Sequence, residues 1–275
     1  MNDKKMPIIG IDYDKCTSCG ICLTACPLPG YFYSRDPEDN IVKYDNHGKK
    51  CLTCGQCITQ CPENAIIYED MGESYDFDGI NDLKTYLPYE KAFNFLAACR
   101  STRRYLKTEV PQEILQKVIK AMEYAPTGIN MRVETFTIIS DHEMLKSLSD
   151  AILEELQKEE TTWRMFRRQF SLMDPLYEIP VFYDAPHVIF LSSPLNMVLG
   201  GINIGNIVTY GRLAAQSLGL GTCWNGWTQI ANESSSKIRR MAKLKGPLLM
   251  AFTIGYLDVK FYRIPPRSEK KVRYA

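Results

Sequence analysis

The sequence predicts an α+β chain in two parts, a small cysteine-rich α+β domain followed by a larger one in which helices dominate. Three observations carry this. Eight of the ten cysteines fall within residues 16–61. Charge is divided: residues 1–90 hold 8 Lys+Arg against 15 Asp+Glu, and residues 91–275 hold 25 against 17. Beyond residue 88, apolar residues recur at helical spacing between short β-rich runs. The 275 residues leave room for buried cores, and 45% hydrophobic with 24% charged residues is ordinary for a globular chain. A net charge of +1 argues against general nucleic-acid binding. The expected domains are 1–70 and 89–275, joined by an acidic linker over 71–88 with Gly72, Gly79 and Pro88.

Residues 15–27 and 50–62 form an internal repeat, identical at 8 of 13 positions, including Lys15/Lys50, Gly20/Gly55 and Pro27/Pro62. Apolar runs at Ile8 to Ile11 and Ala65 to Tyr68 read as small strands flanking it. The stretch Pro29 to Gly48, rich in Asp, Asn, Pro and Gly, reads as loop. In the larger part, Tyr89 to Cys99 reads as a helix. Another follows Pro111, with Ile114, Leu115, Val118, Ile119 and Met122 on one face. Glu134 to Ser140 alternates as a strand, and Asp141 suits the N-cap of a helix through Leu156. Trp163 to Phe170 is basic, aromatic and amphipathic. Val188 to Leu191 and Leu248 to Tyr256 read as strands, and Ile202 to Leu218 as an apolar helix ended by Gly219. The uncharged run Ala185 to Gly211 is long enough to raise a membrane span. Its Ser, Asn, Pro and Gly content instead indicates a buried strand and helix. Lys4 and Lys5 are followed by no signal-type apolar region, so a cytoplasmic chain with reduced thiols is expected.

Each repeat carries the pattern Cys-x2-Cys-x2-Cys-x3-Cys-Pro: Cys16, Cys19, Cys22, Cys26, then Cys51, Cys54, Cys57, Cys61. A cysteine at every third residue in a tight loop wraps three corners of an iron–sulfur cube, and the fourth starts a turn away. Structural zinc would favour paired Cys-x2-Cys knuckles, and disulfides do not suit the compartment. Residues 1–70 resemble a bacterial-type two-[4Fe-4S] ferredoxin. The resemblance implies crossed ligand sets, with Cys16, Cys19, Cys22 and Cys61 on one cluster and Cys26, Cys51, Cys54 and Cys57 on the other. Cys99 and Cys223, outside the motifs, read as packed thiols.

Arg100-Ser101-Thr102-Arg103-Arg104 offers forked and short donors suited to a phosphate, although alone it equally describes a solvated basic turn. Three more segments accompany it: Tyr124 to Asn130, Leu218 to Gly226, and Pro265-Pro266-Arg267. In this order they resemble the nitroreductase family of flavoproteins over roughly residues 89–275. The resemblance implies a nitroreductase-like α+β fold, FMN held without a covalent bond, and a homodimer sharing the flavin site. Carried over, Arg100, Ser101, Arg103 and Arg267 hold the FMN phosphate, with a backbone contact from Thr102. Pro126, Thr127, Gly128 and Asn130 line the ring, and Asn225 and Gly226 lie near its N5 and O4. Gly221 and Trp224 pack around that loop. Met131-Arg132 departs from the family's usual Gln, leaving Arg132 either facing the flavin or in solvent. Trp163, Met165, Phe166 and Phe170 read as packing or as a lid.

No Ser-His-Asp set is present, and a flavin reductase needs no protein nucleophile, so no catalytic side chain is expected. Joined, the two resemblances imply an oxidoreductase exchanging single electrons for pairs. Electrons would pass from an external low-potential donor through two [4Fe-4S] clusters to FMN, then to a nitroaromatic, quinone or activated alkene. The alternatives are a NAD(P)H-dependent nitroreductase passing electrons outward through the clusters, and a non-catalytic redox sensor. Neither nucleic acid nor membrane is an expected partner.

Overall fold

The computed structural model describes residues 7–47, 51–75, 82–195, 197–244 and 246–274. Lys4, Lys5, Gly48, Lys50 and Gly79, used in the sequence reading, lie outside these. Two units emerge: Met1–Tyr86 with Ile129–Met131, and Leu87–Gly128 with Arg132–Ala275.

In the smaller unit, β1 (Ile8–Ile11) pairs antiparallel with β4 (Ile66–Tyr68), as the two apolar runs predict. Between them lie α1 (Ile21–Ala25), β2 (Tyr33–Arg35), β3 (Val42–Tyr44) and α2 (Gln56–Thr59), and α3 (Leu83–Tyr86) follows β4. The expected loop over Pro29 to Gly48 is therefore partly a hairpin, β2 pairing with β3. Its turn is closed by side chains: Asp36 accepts from the Glu38 amide, and Arg35 donates to the Asn40 carbonyl at 2.8 Å. Asn40 itself takes a φ of 59°, a conformation Asn tolerates well. The small core gathers Ile8, Ile11, Phe32, Tyr33, Val42, Cys57, Ala65 and Ile66.

The larger unit is built on an antiparallel sheet of order β5–β6–β8–β7, formed by β5 (Thr135–Ile139), β6 (His187–Ser192), β7 (Leu220–Asn225) and β8 (Leu248–Tyr256). Every residue of β6 is buried, because helices cover both faces. Its period-two alternation sends Val188 and Phe190 into one core, and Ile189 and Leu191 into the other. The first core is covered by α6 (His142–Lys158), α7 (Glu160–Met173), α9 (Gly226–Ser234) and α10 (Lys237–Met241). The second is covered by α5 (Gln112–Glu123) and α8 (Met197–Ser217), while α4 (Tyr89–Ala98) opens the unit.

Leu115, Val118 and Met122 are the buried stripe of α5, in agreement with the helical spacing. Asp141 caps α6, its carboxylate accepting from the Met144 amide at 2.8 Å. The apolar helix begins five residues earlier than expected, at Met197. It crosses α5 closely at Gly211, where an added Cβ would stand 2.7 Å from Met122 Cγ. Among the described residues no helix is long and apolar enough to cross a membrane.

Buried His187 ties β6 to the chain before α5. Its Nε2 accepts from the Val110 amide at 2.9 Å, so the proton sits on Nδ1 and faces Ser140 Oγ at 2.6 Å. Burial lowers its pKa from 6.5, with Glu109 opposing weakly. The unfolded chain therefore takes up the proton first. The contribution is present above the unfolded value and is lost as pH falls through it toward the lowered folded value. Denaturation midpoints should drop between pH 7.5 and 5.5, by at most about 1.4 kcal/mol per pH unit for one proton. His187→Gln should flatten that slope; an unchanged slope would remove His187 as its source.

Candidate functional site

The repeat builds two thiol cavities in the smaller unit. One is lined by Cys16, Cys19, Cys22 and Cys61, together with Ile11, Val42 and Ile66. The other is lined by Cys26, Cys51, Cys54 and Cys57, with Ile8, Phe32 and Tyr33. Each cavity takes three thiols from one repeat and the fourth from the other.

Local backbone geometry explains why the repeat needs its residues. Gly20 and Gly55 adopt φ of 82° and 73° to start α1 and α2, which carry Cys22 and Cys57. That left-handed conformation suits glycine. Ser18 and Thr53, at matching places, also have positive φ and turn their amides toward Cys16 Sγ (3.4 Å) and Cys51 Sγ (3.3 Å). The Ala65 amide donates to Cys61 Sγ at 3.3 Å. Burial pushes the Cys22 thiol up to about 11 and raises Cys51 and Cys57 as well. Without a bound cation these thiols stay protonated near neutrality, so binding metal expels protons.

In the larger unit, the Arg100–Arg103 turn runs beside β7. Ser101 forms a bridge with Thr222, and the Thr102 amide donates to the Thr222 carbonyl at 2.8 Å. Buried Tyr105 donates to the Thr102 carbonyl at 2.7 Å. Thr102 is thus a fixed part of the turn, with both backbone groups already bonded. Gly221 answers to it: a Cβ there would lie 2.5 Å from Thr102 Oγ1. Half-buried Arg100 donates from Nη2 to the Ala97 carbonyl, while its buried Nε has no partner among the described residues. Arg103 is exposed and reaches Tyr183 Oη at 3.3 Å. Arg212 of α8 was not singled out from sequence, yet its Nε donates to Thr222 Oγ1 at 3.1 Å, adding a cation beside the turn. Buried Cys223 lies among these groups, its pKa raised by burial against the opposing pull of Arg103, Ser101 and Arg212.

The Pro126–Gly128 loop is fixed from α8. The Gly128 amide donates to Asn203 Oδ1 at 2.9 Å, and Asn206 Nδ2 donates to the Pro126 carbonyl at 3.2 Å. Asn203, fully buried, passes its own Nδ2 to Glu134 Oε1 at 2.8 Å. The sequence signal for Asn203 was present but unused: a polar residue inside an otherwise apolar helix. Thr127 Oγ1 accepts from the amide of Arg132, whose side chain is exposed. Asn130 has a φ of 53° and groups with the smaller unit.

Asn225 ends β7 and caps α9. Its Oδ1 accepts from the Thr228 amide and hydroxyl, and its Nδ2 donates to the Val181 carbonyl. This leaves the exposed Gly226 at the free start of the helix. Arg267 lies exposed in the C-terminal segment, with no hydrogen bond or ion pair among the described residues. Trp163 stacks on Phe170, and Phe166 and Phe170 meet Trp227, so these aromatics are core packing, whereas Met165 is 72% exposed.

The family model described as the nitroreductase family matches residues 96–256. The chain belongs to the nitroreductase family. A second model, the 4Fe-4S dicluster domain, matches residues 15–66 and so takes in both cysteine repeats. Solved structures agree on the fold of the larger unit. A nitroreductase with bound FMN from Bacteroides fragilis is 19% identical, with 66% of this chain and 99% of that chain covered and a TM-score of 0.56. One with bound FMN from Desulfitobacterium hafniense is 18% identical, covering 66% and 97%, with a TM-score of 0.54. NfnB from Mycobacterium smegmatis, solved in complex with NADPH, is 19% identical, covering 70% and 100%, with a TM-score of 0.51. No curated protein matches the chain. A member of this family with a dicluster domain is an iron–sulfur oxidoreductase, and its α+β fold is the one the four short motifs implied.

Proposed function

We propose that this protein takes electrons from an external low-potential donor through two [4Fe-4S] clusters to FMN and reduces a small acceptor such as a nitroaromatic, quinone or activated alkene. The observation that carries the reading is the pair of four-thiol cavities in a chain whose larger unit is a nitroreductase. Thiolates suit iron–sulfur clusters. Each set is three thiols of a Cys-x2-Cys-x2-Cys run and a fourth from the other repeat, which suits a cluster with several iron corners better than the paired knuckles of structural zinc. FMN supplies two-electron transfer to the acceptor and one-electron exchange with the clusters.

The chain's own residues bind and orient. Arg100, with its orphaned buried Nε, and Ser101, Arg103 and Arg212 form a cationic, hydroxyl-bearing cradle for a phosphate. Asn203 and Glu134 hold the Pro126–Gly128 loop as a fixed wall for the ring. Gly226, at the start of α9, offers a helix N-terminus where negative charge is favoured. Anaerobic turnover driven by a reduced ferredoxin, compared with NAD(P)H, tests the direction of flow. Turnover with NAD(P)H alone would favour the outward direction instead, and the NADPH complex of the smegmatis protein is the observation on that side.

A homodimer is part of the proposal. Val198, Ile202 and Tyr210 of α8 are exposed on one helical face, the first by 76%. Light scattering of the flavin-loaded protein should return twice the 31.5 kDa chain mass, and a stable loaded monomer at micromolar concentration would contradict it.

A further inference from the structure

Tyr33 stands out among the buried polar groups of the smaller unit. It is 3% exposed and lines the cavity of Cys26, Cys51, Cys54 and Cys57. Its buried hydroxyl meets no partner in good hydrogen-bond geometry among the described residues, and the Cys57 thiol is a polar group beside it. Tyr44 lines the same cavity, and its ring centroid lies 5.2 Å away, but its hydroxyl is satisfied by the Ile8 carbonyl at 2.8 Å. A buried hydroxyl left without a partner costs about 1–3 kcal/mol, so its position calls for an acceptor. Thiolate and sulfide sulfurs are the acceptors a cluster would bring there. Among the described residues, no tyrosine lines the cavity of Cys16, Cys19, Cys22 and Cys61.

We propose that the Tyr33 hydroxyl donates a hydrogen bond to a sulfur at the Cys57 corner and so raises the reduction potential of that cluster alone. This rests on the two-cluster reading above. Hydrogen bonds to cluster sulfurs stabilise the more negative, reduced state and raise the reduction potential. The Tyr33 hydroxyl therefore makes the cluster held by Cys26, Cys51, Cys54 and Cys57 easier to reduce than it would be without that bond. Tyr33 is a positioning and tuning residue, with no part in moving protons.

The test is an anaerobic redox titration of the full-length protein followed by electron paramagnetic resonance, after iron and sulfide have been counted. Tyr33→Phe removes the hydroxyl and keeps the ring. One of the two midpoint potentials should fall by about 59 mV, a tenfold change for one electron, while the other holds. Tyr44→Phe should move neither. Unchanged potentials in Tyr33→Phe, or an equal shift of both clusters, would overturn the inference while leaving the two-cluster reading intact. A wild-type protein without two clusters would overturn both, and the iron count separates these cases. Should Tyr33→Phe lose its metal, 3-fluorotyrosine at position 33 keeps the ring and strengthens the donor. It must then raise one potential, and no rise would equally overturn the inference.

Discussion

Cys22→Ser and Cys57→Ser are each expected to remove one cluster and abolish turnover with a reduced external donor, while FMN stays bound. Cys22 sits in the cavity with Cys16, Cys19 and Cys61, and Cys57 in the one with Cys26, Cys51 and Cys54. A serine hydroxyl is a harder ligand and gives up its proton far less readily than a thiol. Removing only an outer partner of a metal ligand already costs about 10–100-fold in metal affinity or activity, so losing a ligand should cost more. Iron should fall from about eight per wild-type chain to about four. Because Cys26 lines the same cavity as Cys57, Cys26→Ser should damage the same cluster as Cys57→Ser, although Cys26 belongs to the other repeat. Iron near four in the intact wild type, or zinc in stoichiometric amount, would refute the two-cluster reading. Ferredoxin-driven turnover that survives both substitutions would show that the clusters are not the entrance.

The grouping of the eight thiols around two cavities was legible because a soft-ligand motif states its chemistry in its spacing, and a repeat states it twice. Helices with a clear apolar stripe, such as α5, were legible for the same reason of periodicity. What escaped was short or two-sided. β2 and β3 are three residues each, too brief for alternation to register among Asp36, Pro37, Asp39 and Asn40. β7 was hidden in a glycine motif: Gly221 was expected to pack around a loop, yet it is a strand position that must admit the Thr102 side chain. Neither α9 nor α10 was anticipated, since their helical pattern is short and their ends are set by Asn225 and by packing on α6. Asn203 and Arg212 were passed over because α8 reads as an apolar element. Their roles follow from which loop and strand that helix passes, which only the tertiary fold decides.

Arg100→Ala is expected to weaken FMN binding by about 1.5–3 kcal/mol, roughly 10- to 150-fold, as loss of a hydrogen bond to a charged group does. The sequence gives Arg100 and Arg103 equal standing as phosphate ligands, but the fold separates them. Arg103 is exposed and already shares its Nε with Tyr183, so solvent screens much of its charge. Arg100 is half-buried, anchored through Nη2 to the end of α4, and carries a buried Nε that is unsatisfied among the described residues. An anion that reaches this nitrogen forms a bond and removes a desolvation cost in one step. Arg103→Ala should accordingly cost less than Arg100→Ala, and Arg212→Ala should fall between them if its guanidinium, held by Thr222, faces the same group. The measurement is fluorescence titration of the flavin-free protein with FMN, repeated with riboflavin. Riboflavin lacks the phosphate, so it should bind wild type and Arg100→Ala alike. An Arg100→Ala variant that loses riboflavin as strongly as FMN would place Arg100 in the structural support of the turn and leave the phosphate to other groups.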